Sequence, residues 1–261
     1  MTNQQNKIMK PILISIVLAA VICAVLLVML LANGFKSDIF ANDVDNNDTS
    51  LPSRLSETPD YGQFYLDNII FIGDRTISAM RDLEILSDGA DTKQIWTGED
   101  DTLSLDYKTA AATIIFPENE EILKIADAIE KKYPDYVIIT LGFDNGVAYC
   151  TEEKFKEYYG NLVTAIKEKS PNTKIILQSI FPVSDKKQKD NSGITNEKIN
   201  RANVWIESLA YDHSARYLDT ISILKDEKGN LKPEYDSGDG YTLNAGGYSA
   251  VLNYIRTHGY K

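Results

Sequence analysis

Apolar residues along this chain fall into three patterns, and each predicts a different kind of element. Short runs rich in β-branched residues, stopped by glycine or a polar cluster, read as buried strands. The run Asn68-Ile69-Ile70-Phe71-Ile72 ends abruptly in Gly73-Asp74 and then turns polar, with amphipathic spacing over 76–86, so a strand, a turn and a helix are expected there. Tyr136-Val137-Ile138-Ile139-Thr140-Leu141-Gly142 is the clearest such run, 174–179 and 215–219 are two more, and 93–96 is a short one. Helical spacing connects Ile122, Ile125, Ile129 and Tyr133, with Pro117 and Glu118 suited to a first turn, so a helix is expected over 118–133. Phe155, Tyr159, Leu162 and Ile166 form a second stripe, behind Thr151 as a cap and Glu152 and Glu153 at the positive helix end. A third helix is expected over 196–211, and a closing one behind Asn244 with Tyr248, Val251 and Ile255 inward. Strand and helix alternate throughout, which predicts an α/β fold: a mainly parallel sheet covered on both faces in a three-layer sandwich.

The third pattern is a continuous one. Residues 12–32 contain no charge, and at about 1.5 Å per residue such a run crosses a hydrocarbon core of about 30 Å. A cleaved signal peptide is the competing reading, but no small-x-small site follows Leu31, and Ile22 before Cys23 does not suit a lipoprotein signal. One transmembrane helix over 12–33 is therefore expected, with 1–11 as a cytoplasmic tail. Lys7 and Lys10 precede the run while Asp38, Asp43, Asp45 and Asp48 follow it, which places the amino terminus inside and the bulk of the chain outside the cell membrane. Residues 34–60 are rich in Asp, Asn, Ser and Pro and read as a flexible linker, leaving 61–261 as one extracytoplasmic domain.

Lys7, Lys10 and Lys36 are the only charges before Ser37, so the remainder carries -14 against -11 for the whole chain. That balance argues against nucleic acid and anionic membrane surfaces as partners. Cys150 is the single cysteine of the folded part, so no disulfide can form inside it.

Loops at the carboxyl ends of parallel strands are where reacting groups collect, which puts positions 74–76 at a site. Phe71-Ile72-Gly73-Asp74 resembles the first block of the SGNH (GDSL) hydrolases, in which Gly-Asp is followed by a nucleophilic serine. The resemblance continues through Ile180-Phe181-Pro182-Val183, Gly193-Ile194-Thr195-Asn196 and Asp239-Gly240-Tyr241-Thr242-Leu243-Asn244, the last similar to the family's Asp-Gly-x-His-Leu-Asn ending. It implies the family's flavodoxin-like sandwich with four blocks converging on one site. At the family's catalytic positions the chain differs. Arg75 stands for the serine and Thr242 for the histidine, while Asp239 is retained. Gly98 is the candidate oxyanion-hole glycine, and Asp144, or Asn145 if one residue is inserted, falls at the oxyanion-hole asparagine. An amide donates to an oxyanion and a carboxylate does not. Thr76 and Ser78 lie beside the missing serine, and the only histidines are His213 and His258, neither near the expected base.

A serine hydroxyl needs a base, and the base an orienting carboxylate. The sequence lacks the first two at the family positions, so the expected role is binding through Arg75, Asp239 and Tyr241. The expected partner is a cell-envelope glycan or surface protein, with no cofactor and no metal. Tyr235, Tyr241 and Trp96 are candidates for stacking on sugar rings, and Asp239 or Asp144 for pairing with Arg75. Asp236, Asp239 and Asp144 do not have the spacing of a calcium loop. The rival expectation is an esterase that removes acyl groups from envelope carbohydrate by an unorthodox set of residues; a third is a scaffold for surface proteins.

Overall fold

The β-branched runs lie side by side as five parallel strands, in the spatial order 95–96, 69–73, 136–140, 174–178 and 216–218, in a computed structural model that describes residues 51–143, 145–190 and 192–260. In chain order the elements are α1 (Gly62–Asp67), β1 (Ile69–Gly73), α2 (Arg75–Asp82), β2 (Ile95–Trp96), β3 (Thr113–Phe116), β4 (Glu121–Lys124), α3 (Ile125–Lys132) and β5 (Tyr136–Thr140). There follow α4 (Gly146–Tyr149), α5 (Glu152–Lys169), β6 (Lys174–Gln178), α6 (Asp185–Gln188), α7 (Asn196–Asp212), β7 (Arg216–Leu218), α8 (Ile221–Leu224) and α9 (Ala245–Thr257).

Side chains alternate across a strand, so register assigns each residue to one face. Ile72 pairs with Ile139, Ile139 with Leu177 and Leu177 with Tyr217, and this row faces a core closed by Ile129, Phe155, Leu162 and Ile206. Phe71, Ile138, Ile176 and Leu218 face the opposite core, closed by Ile77, Met80, Tyr248 and Val251. Burial of each such side chain contributes roughly 1.5–3 kcal/mol before conformational entropy is subtracted. The caps are where the sequence places them. Thr151 Oγ1 accepts from Lys154 N at 3.4 Å, and Asn244 Oδ1 accepts from Gly247 N at 3.0 Å.

Two expectations are corrected. The helix expected over 118–133 begins only at Ile125; ahead of it, Thr113–Phe116 and Glu121–Lys124 form an antiparallel hairpin with Ile115 opposite Ile122. Of the four residues at helical spacing, only Ile125 and Ile129 are buried, while Ile122 is 62% and Tyr133 56% exposed. The folded unit also starts at Leu51 rather than Tyr61. Residues 53–55 run parallel to β7, with Leu55 N donating to Tyr217 O at 2.8 Å and Tyr217 N to Ser53 O at 2.9 Å. Arg54 fixes this strap by donating to both carboxylate oxygens of Glu207 and to Asp219, each at 2.8 Å. The segment looked like a linker because backbone pairing, the Arg54 ion pairs and one buried apolar residue, Leu55, hold it, with no run of apolar residues to announce it. The transmembrane helix expected over 12–33 lies outside the described residues. Among the described residues no helix is long and apolar enough to cross a membrane.

Gly142, just past β5, has φ +117°, and a Cβ there would stand 2.8 Å from the Phe155 ring. Gly142→Ala should therefore lose about 2 kcal/mol, from backbone strain and overpacking together. A urea midpoint unchanged from the parent would contradict that.

Candidate functional site

The sheet order reverses direction at β1, whose neighbours β2 and β5 are reached by connections running opposite ways, and such a switch point opens a crevice at the strand carboxyl ends. Gly73 ends β1 there because nothing larger fits. A Cβ would fall 2.5 Å from Thr140 O and 2.7 Å from Ile77 Cγ1. Asp74 follows as the N-cap of α2 and is fully buried. One of its oxygens accepts from Thr76 N at 3.1 Å and Thr76 Oγ1 at 2.7 Å, and the other accepts from Phe143 N at 3.0 Å. This carboxylate thus ties the β1 turn to the β5 loop. It satisfies donors that a helix start would otherwise leave open.

The β5 loop is tied in turn to the loop before α9. Phe143 stacks on Tyr241 with ring centres 5.2 Å apart and planes at 17°. Lys187, on α6, lies over the Tyr241 ring at 5.0 Å and pairs with Asp190 at 2.6 Å. Ser184 N donates to Gly240 O, so four segments meet at this end of the sheet.

Arg75 occupies the first position of α2 and is exposed. The neighbouring hydroxyls are spent locally: Thr76 is buried and donates to Asp74, and Ser78 Oγ donates to Arg75 O at 3.1 Å. Asp239 shapes its own turn. Its carboxylate accepts from Tyr241 N at 2.9 Å and Thr242 N at 2.8 Å. Burial pushes this carboxyl up, but those two bonds and the hydroxyls of Thr242 and Ser237 outweigh it and hold the group below its ordinary value. Thr242 therefore meets Asp239 where the resemblance puts a histidine.

Gly98 lies just beyond β2, lining a cleft of about 350 Å³ with Arg81, Ile95 and Asp101. A Cβ on it would come 2.1 Å from Thr102 O. Asn145 is exposed, with φ 66°, ahead of α4, and Asp144 lies outside the described residues.

The histidines are elsewhere. His213 caps the end of α7 just before β7, at the opposite end of the sheet, and burial together with Lys167 lowers its pKa. His258 ends α9 and stacks on Tyr254 at 3.7 Å, about 20 Å of helix from Asn244. Of the aromatic candidates, Tyr241 is at the site, Tyr235 is half-buried under Lys232, and Trp96 is corrected: it is 1% exposed, donates to Lys93 O and belongs to the core. Among the described residues no cluster of His, Cys, Asp and Glu could hold a metal ion. Asp236 Oδ1 accepts from Gly238 N and Gly240 N, the work of a turn residue.

Sequence reasoning missed Phe143, whose amide and ring join the three loops. Its place directly after a glycine at a strand end was the one available signal.

No curated protein matches the chain. Among solved structures it is similar to a GDSL-like lipase from Bacteroides thetaiotaomicron VPI-5482, at 18% identity and TM-score 0.50, over 72% of this chain and 85% of that one. It is also similar to a protein of Bacteroides fragilis NCTC 9343 described as an acylhydrolase, at 17% identity and TM-score 0.51, over 72% and 84%. These likenesses fix the fold. The model of the GDSL-like Lipase/Acylhydrolase family matches residues 105–250, from the segment after β2 into α9, and so takes in the β5 loop and the Asp239 turn. With Gly73 and Asp74 set at the switch point of that fold, the chain belongs to the GDSL-like lipase/acylhydrolase family.

Proposed function

We propose that this domain works by binding rather than by acyl transfer, on the outer side of a cell membrane to which residues 12–33 anchor it. The observation that carries the reading is the state of Asp239. In a serine-type relay this carboxylate orients an imidazole, and here its Oδ1 accepts from the amides of both Tyr241 and Thr242, while a threonine, which cannot carry the proton, stands where the imidazole would be. At the nucleophile's position stands a guanidinium, which has no proton to give up near neutral pH and attacks no carbonyl. What remains is a recognition surface: the Arg75 cation and the stacked Phe143 and Tyr241 rings. Planar, bidentate donors suit carboxylate or sulfate groups, and aromatic faces suit sugar rings. An acidic envelope glycan is the ligand this set fits best, with a surface protein as the second choice.

The alternative within the family is an esterase acting on acylated envelope carbohydrate. Purified protein offered a short-chain aryl ester separates the two. The expected result is no turnover above buffer. A clear rate that vanishes on Asp239→Ala would sink the binding reading. The complementary variant restores what the chain lacks: Arg75→Ser with Thr242→His should gain measurable ester hydrolysis, because residual oxyanion and binding terms alone support roughly 10³–10⁴-fold catalysis in relay enzymes. Silence from the folded double variant would mean that the donors at Gly98 and Asn145 do not meet an oxyanion.

A further inference from the structure

The end of the sheet where the strands begin carries an aromatic face that the binding site does not use. Tyr61 before α1, Phe64 on it and Tyr136 at the start of β5 line a cleft of about 270 Å³ there with Tyr65, Asn68 and Asp135, and Tyr260 after α9 lies against Tyr136 at 6.3 Å between ring centres. Tyr61 packs edge-on against Tyr65, and Tyr65 against Tyr136. Lys174 lies over both Tyr136 and Tyr260, and Arg216 over Tyr260. Phe64 is 81% exposed, the most exposed large apolar side chain among the described residues.

The same end receives the chain. The strap runs parallel to β7, so Pro52 lies where β7 starts, and Arg216 Nη1 donates to Pro52 O at 2.7 Å. Residues 33–50 separate the uncharged run from Leu51, and fully extended they span at most about 60 Å. A tether that short holds whatever face it enters at high local concentration against the surface that holds its other end.

From these two observations we propose that the face formed by Tyr61, Phe64, Tyr136 and Tyr260 seats itself in the headgroup zone of the bilayer, which leaves the Arg75 site directed away from the membrane. The inference rests on the anchor reading. Tyrosine rings and phenylalanine with flanking Lys and Arg are the residues that partition to a membrane interface. Asp135 stands among the rings and Asp60 is paired with Arg256, so the face is not a basic patch. It matches zwitterionic rather than anionic lipid, in keeping with the net charge of the chain.

The test uses the full chain reconstituted in phosphatidylcholine vesicles whose acyl chains are brominated near the headgroup. Phe64→Trp places a reporter on the face. Tyr149→Trp, equally exposed but beyond the carboxyl end of β5, places one on the far side. Bromine should quench roughly half of the emission added at position 64 and almost none of that added at 149. Equal quenching at the two positions, in protein that resists alkaline extraction, overturns the docking while sparing the anchor. Release by alkaline extraction overturns the anchor and the docking with it. Quenching at 64 that a soluble oligosaccharide or protein ligand abolishes would assign the face to that ligand instead.

Discussion

Arg54→Ala should lower the stability of the domain by about 3 kcal/mol near neutral pH, the lower end of what breaking a buried ion pair costs. The lower end applies because the Arg54 side chain is 34% exposed, whereas Glu207 and Asp219 are 11% and 17% exposed. Removing the guanidinium leaves Glu207 and Asp219 without the cation that bonds both, and leaves the Leu51 to Leu55 segment held to β7 by its backbone bonds and Leu55 alone. The pH dependence has a definite sign. Burial raises the Asp219 carboxyl above its ordinary value, and Arg54 pulls it back only in part. A carboxyl raised in the folded state favours folding at low pH, and that contribution is lost as pH rises through the folded pKa. Without Arg54 the folded pKa rises further. The deficit of the variant is therefore full near neutrality and shrinks as the solution is acidified toward the raised pKa. Urea unfolding at about pH 7 and about pH 5 measures it, and a deficit that grew on acidification would refute the assignment.

Asp74→Ala should cost about 3 kcal/mol as well, by a different route: loss of an N-cap, about 1 kcal/mol, plus buried donors left without an acceptor, at about 1–3 kcal/mol. The Phe143 amide loses its partner across the switch point, so the β5 loop should loosen along with the start of α2. Hydrogen exchange at Phe143 should accelerate more than at Ile138, in the middle of β5. Asp74→Asn keeps an acceptor oxygen and should lose about half as much. A stability change under about 0.5 kcal/mol for Asp74→Ala would show that the tie between the two loops lies elsewhere.

The parts of the fold legible in the sequence are those fixed by local chemistry. The runs at 69–73 and 136–140 announce central strands because both faces are buried, and Thr151 and Asn244 announce helix starts because their side chains are cheap acceptors for orphan amides. The hairpin was hidden by coincidence: Ile122 falls at helical distance from Ile125 and Ile129, yet it belongs to a strand whose outward face is exposed. The strap was hidden for a different reason. Arg54 has its partners at Glu207 and Asp219, and nothing in its neighbours states that. At the site, the spacing pointed to Asp239 and Tyr241, but whether Asp239 orients a neighbour or folds its own turn depends on where two backbone amides lie. Phe143 carries no chemical label at all, and its importance comes from an amide aimed at Asp74 and a ring parallel to Tyr241.

The strap carries a consequence for biosynthesis. Arg54 leaves the ribosome long before Asp219, 165 residues later, so the strap has no strand to dock on until β7 has been made. Until then the edge of β6 offers bare amides and carbonyls to any extended stranger, and the edge of β7 does so until the strap covers it. Docking of the strap therefore waits on the last strand along the chain, and a chain cut short before Tyr217 cannot take that step.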